Sequence, residues 1–149
     1  MIHMDIRNLS TVKRLYTRGK LEQLAEKICR GEGLKKKVEL SLLLCDDAFI
    51  RELNARYRSR DEATDVLSFE QESPKNMDKI LLGDIVISLE TVQRYCGGDR
   101  DAMRTELNLL FCHGLLHLLG YDHGKKADKL TMQQKQAEYL GIGLENVWH

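Results

Sequence analysis

Apolar and polar positions along this chain fall into patterns that predict most of its elements. Ile2 to Asn8 reads as a first strand. From Leu21 to Arg30 the apolar residues Leu21, Leu24, Ala25 and Ile28 recur at helical spacing, and Gly31 and Gly33 stop that helix. Val38 to Cys45 (VELSLLLC) is short, apolar and strand-like. Asp46 or Asp47 caps a helix running through Phe49, Ile50 and Leu53. A polar connection is expected from Asn54 to Asp65, then a strand from Val66 to Phe69. Glu72 to Lys79, with Pro74, reads as a loop. Gly83 to Ser88 is a further strand, followed by a short helix from Leu89 to Tyr95 that Gly97-Gly98 ends. Asp99 to Leu119 is the longest helical stretch, with Met103, Leu107, Leu110, Leu115 and Leu118 near helical spacing. A last helix is expected from about Ala127 to Leu140. Few strands among several helices predict one α+β domain over residues 1–149, a small mixed sheet of about four strands with helices packed on it. The pattern does not give the strand order.

Composition changes this picture little. The chain has 149 residues, 42% hydrophobic and 31% charged, in the range of a globular domain that folds without disulfides. Its longest apolar runs are too short to span a bilayer. Met1-Ile2-His3-Met4-Asp5 lacks the pattern of a secretory signal. A cytoplasmic protein without a membrane partner is expected. Cys29, Cys45, Cys96 and Cys112 are widely spaced with no C-x-x-C pair, and read as reduced, mostly buried thiols. Lys plus Arg equals Asp plus Glu at 23 each, so overall charge does not mark a nucleic-acid binder. Any phosphate-binding surface must come from local clusters: Lys13, Arg14, Arg18 and Lys20; Lys35 to Lys37; or Arg51, Arg56, Arg58 and Arg60.

The candidate chemistry begins at His113, where the chain reads HGLLHLLGYDH. His113 and His117 stand four apart, on one face of a helix and one turn from each other. Gly120 can take a left-handed backbone angle and turn the chain, bringing His123 round as a third ligand. Three protein ligands leave one position of a tetrahedral divalent ion, zinc by preference, open for water or substrate. Cys112 points about 100° away from His113 on the helix and is expected in the core. The spacing matches the peptidase pattern H-E-x-x-H-x-x-G-x-x-H, except that Gly114 stands where those enzymes carry their glutamate base. The metal scaffold is kept without the peptidase base.

The second constellation is LNARYRSRDEATDVLSF, Leu53 to Phe69. Arginine pairs with phosphate oxygens through parallel N–H bonds. Arg56 and Arg60 equally suit surface ion pairs with Asp61 and Glu62.

These two blocks, with LLGDIVIS at Leu81 to Ser88 between them, resemble the YbeY family of metal-dependent, single-strand-specific endoribonucleases of ribosomal RNA maturation. The resemblance covers about two thirds of the chain. It implies a small sheet with surrounding helices, a metal held by His113, His117 and His123, and a positive cleft for single-stranded RNA. The family's functional arginine falls on Arg58. It further implies action at the 3′ end of small-subunit rRNA and in ribosome quality control, with the ribosome or its assembly proteins as partners. Where the family usually has proline this chain has Ala63 and Glu70, and where the family is commonly acidic it has Gly124-Lys125-Lys126.

Three readings follow. In the first, the metal activates water against an RNA phosphodiester and Arg58 stabilises the charge. Asp122 either orients a ligand histidine or caps a turn, and Asp65 and Glu70 are candidate proton acceptors. In the second, the chain is a metallopeptidase-like or other zinc hydrolase. In the third, it is a non-catalytic ribosome-associated factor with a structural metal.

Overall fold

The structure, a computed structural model, describes residues 2–74, 78–121 and 126–146. Its elements run β1 (Ile2–Asn8), α1 (Arg18–Gly31), β2 (Lys37–Cys45), α2 (Asp47–Arg58), β3 (Val66–Glu70), β4 (Lys79–Ser88), α3 (Leu89–Tyr95), α4 (Arg100–Leu118) and α5 (Lys126–Leu140), then a short 3-10 turn at Leu144–Asn146. The sheet order is β1-β2-β4-β3. β1, β2 and β4 are parallel, and β3 lies antiparallel on the edge beside β4. The expected α+β fold with a mixed four-stranded sheet is what forms.

Two ranges differ from the sequence pattern by four residues or more. α2 continues through Arg56 to Arg58, where a polar connection was expected from Asn54. Its buried stripe includes a polar residue: Asn54 is buried and its Nδ2 donates to the Glu62 carbonyl at 2.9 Å. That bond replaces the apolar contact a periodicity argument looks for. The helix ends at Ser59, which takes a left-handed φ of 59°. β4 begins at Lys79 rather than Gly83, because Ile80 and Leu81 pair with Val38 and Glu39 before the register shifts beside Leu40.

Side-chain alternation divides the apolar residues between the two faces of the sheet. Leu40, Leu42, Leu44, Ile85 and Ile87 enter the larger core with residues of α1, α3, α4 and α5. Cys45, Leu67 and Val86 point the other way and form a smaller core with Ile50 of α2. α4 is buried almost all round from Leu107 to Leu118, as befits a central helix.

Gly114 sets how closely α4 lies on the sheet. A Cβ there would stand 2.9 Å from Ile85 Cγ2 and 3.0 Å from Ser68 Oγ. The Ser68 hydroxyl instead donates to the Gly114 carbonyl at 3.2 Å. Gly114→Val is expected to destabilise the protein by about 1–3 kcal/mol through overpacking. Gly114→Ala should cost less, because helix propensity returns about 1 kcal/mol. Urea unfolding of both variants checks the order.

Candidate active site

The last two turns of α4 carry His113 and His117 into a cleft of about 930 Å³. Their Nε2 atoms lie 3.2 Å apart and the rings meet edge to face. Nδ1 of His113 lies 3.0 Å from Gln136 Oε1 on α5. The helix stops at Leu118, and Gly120 turns the chain with a φ of 103°, as its position predicted. The free carbonyl end of a helix favours a cation nearby.

Two imidazole nitrogens bound to one tetrahedral zinc at about 2.0–2.1 Å stand about 3.3 Å apart. The spacing of the histidine pair fits that donor arrangement. His123 and Asp122 lie outside the described residues. Among the described residues no group of three His, Cys, Asp or Glu side chains converges for a metal. Cys112 is fully buried and burial pushes its thiol up to about 12, so it belongs to the core, as expected.

Arg58 reaches the same cleft from the end of α2. Its Nη2 donates to the Ser68 carbonyl at 2.6 Å, and its guanidinium lies 5.2 Å from the Phe69 ring centroid. Tyr57 meets Phe69 edge-on at 5.5 Å and is 59% exposed. Ser68 thus touches both sides, with its hydroxyl on α4 and its carbonyl on Arg58. The neighbouring arginines go elsewhere: Arg51 pairs with Asp61, Arg56 with Glu52 and Arg60 with Glu62, all at the surface. Such exposed pairs contribute little to stability. Asp65 and Glu70 also line the cleft.

Position 114 is no emptied catalytic seat. It faces Ile85 and Ser68, so a peptidase glutamate has no room there. Two contributors to the site were not visible in the pattern. Tyr57 and Phe69 meet only through the fold. Gln136 had one signal, a polar residue in the buried stripe of Met132, Gln136 and Tyr139.

Behind the cleft, Glu32 at the end of α1 ties three segments together. It accepts hydrogen bonds from Tyr121 at 2.6 Å and from Tyr139, with Lys135 3.5 Å away. Burial alone would raise its carboxyl, but the two hydroxyls and the Lys135 ammonium outweigh that and hold it below the ordinary carboxylate range. The same contact works in the opposite sense on Tyr121, where burial and the carboxylate push the hydroxyl up to about 12.

Fold and site together define an α+β domain whose cleft joins paired histidines to an arginine. Residues 5–142 match the family described as Endoribonuclease YbeY. The chain is 39% identical over 127 residues to the Endoribonuclease YbeY of Pelotomaculum thermopropionicum, covering 83% of this chain and 84% of that protein. It is 43% identical over 130 residues to that of Desulforamulus reducens, covering 82% and 85%. A Thermotoga maritima protein solved in solution shares the fold with a TM-score of 0.61 and 29% identity, over 91% of this chain and 86% of that one. The chain belongs to the endoribonuclease YbeY family and is an enzyme of the hydrolase class.

The Glu32 cluster gives a pH dependence with a definite sign. A carboxyl whose folded pKa is depressed stabilises the fold above its unfolded value of about 4.3. That contribution is lost as pH falls through the folded pKa. Glu32→Gln should therefore show a flatter loss of stability than the wild type as pH falls below about 4.3. Urea midpoints measured from pH 7 down to pH 3 check it.

Proposed function

We propose that this chain is a single-strand-specific, metal-dependent endoribonuclease of ribosomal RNA processing, acting at the 3′ end of small-subunit rRNA and in ribosome quality control. In this reading His113, His117 and His123 hold one zinc ion and Arg58 stabilises charge on the phosphate. The observation that carries it is the placing of His113, His117 and Arg58 around one cleft.

A divalent ion held by the histidines supplies Lewis acidity and lowers the pKa of water toward neutrality. The chain's own residues do the rest. Arg58 is fixed by the Ser68 carbonyl and the Phe69 face, contacts that orient it without cancelling its charge. It presents that charge to the phosphoryl oxygens. Tyr57 and Phe69 offer an aromatic surface beside it, suited to stacking an unpaired base. A base held in a duplex cannot splay onto such a surface, which accounts for single-strand preference. Asp65 and Glu70 stand in the cleft as proton acceptors.

A net charge of zero gives weak nonspecific affinity for RNA, since phosphate contacts supply most of it. Recognition then draws on the ribosome or its assembly proteins, and a cytoplasmic location goes with that. No helix among the described residues is long and apolar enough to cross a membrane. The metallopeptidase reading is disfavoured by the close packing at Gly114. The non-catalytic reading is disfavoured by kinship with chains named as endoribonucleases.

His117→Ala should abolish cleavage of single-stranded RNA and lower bound zinc, measured by gel assay and elemental analysis. Full activity in the purified variant would sink the mechanism. Arg58→Ala should keep its metal while losing about 10²–10³-fold in kcat. Tyr57→Ala should raise KM for single-stranded RNA, by about 1–3 kcal/mol of lost stacking, with kcat little changed.

A further inference from the structure

We infer that Gln136 is the positioning residue of the histidine pair: its side-chain oxygen holds His113 in the tautomer whose Nε2 lone pair faces His117. The inference rests on the metal-site reading above and adds to it a residue from a different helix. Gln136 is 0% exposed, in the stripe of α5 that also buries Met132 and Tyr139. An apolar side chain would be buried there at no penalty, whereas an amide is costly unless hydrogen-bonded. The atom facing His113 Nδ1, at 3.0 Å, is the amide oxygen Oε1. An amide oxygen only accepts, so Nδ1 carries the proton. A neutral imidazole has one N–H, which leaves Nε2 with its lone pair. That nitrogen is the one 3.2 Å from His117 Nε2, where a shared ion would sit. Metal-binding histidines generally give their other N–H to such an acceptor, which sets ring orientation and ligand basicity. An amide does this without adding negative charge to a cleft that must admit a phosphodiester.

The height of Gln136 is fixed from behind. Lys27 Nζ donates to the Tyr139 carbonyl at 2.9 Å, and Tyr139 and Lys135 both contact Glu32. These bonds seat α5 against α1 on either side of Gln136.

The test measures zinc affinity of the full-length protein by competition with a chromogenic chelator, for wild type, Gln136→Leu and Gln136→Glu. Gln136→Leu should bind zinc about 10–100-fold more weakly. Gln136→Glu, which keeps an acceptor oxygen, should bind as tightly as wild type or more so. Wild-type affinity in Gln136→Leu overturns the inference, as does equal weakening in both variants. If Gln136→Leu fails to fold, Gln136→Glu alone decides, and a tenfold loss there overturns it. Ring 15N spectra of metal-free wild type give a second readout, with protonated Nδ1 on His113 expected and protonated Nε2 overturning the proposal. A wild type that binds no zinc would fail the metal-site reading instead, and the ring spectra would still decide the role of Gln136.

Discussion

The cleft depends on how closely one helix approaches one strand. At Gly114 the backbone of α4 lies against Ile85 and Ser68 with no side chain between. The contact does more than save space. Ser68 bonds to α4 through its hydroxyl and to Arg58 through its carbonyl. The separation between the histidine pair and the arginine is therefore set by one residue of an edge strand. Interiors this tightly packed transmit small displacements rather than absorb them. Widening the gap by a single side chain would move the two halves of the site apart together with the helix.

Charge is distributed around that geometry in a consistent way. Arg51, Arg56 and Arg60 meet carboxylates at the surface, and Arg58 meets a carbonyl and an aromatic face. Arg58 thereby keeps its guanidinium on neutral partners in a cleft that Asp65 and Glu70 also line, while its arginine neighbours are paired with carboxylates at the surface. On the far side, Glu32 is half-buried with two hydroxyls and an ammonium around it, a charge whose surroundings favour its ionised form. Its task is mechanical. It joins the end of α1, the segment at Tyr121 that follows the histidine helix, and α5.

Much of this was legible in the sequence, because local rules governed it. The four-residue interval from His113 to His117 needs only helical geometry to pair the rings. Gly120 needs only a positive φ to turn the chain. The strands read correctly where alternation or apolar runs marked them. Other features were hidden because their causes are long-range. Asn54 disguised the end of α2 by bonding to the Glu62 carbonyl instead of packing apolar surface. The strand order, and the edge position of β3, depend on pairings between distant segments. Gln136 looks like its polar neighbours Gln133 and Gln134 until the fold buries it beside His113.

The seating of α5 also bears on the order in which the cleft is assembled. Arg58, Ser68 and the histidines precede α5 in the chain, and Gln136 and Tyr139 arrive with it. During synthesis the earlier residues leave the ribosome first, and the domain folds as a unit only when its pieces are present. A nascent chain that has not yet released α5 lacks the acceptor for His113 and the tether through Glu32. The cleft is therefore finished by a helix that is made after the residues it orients.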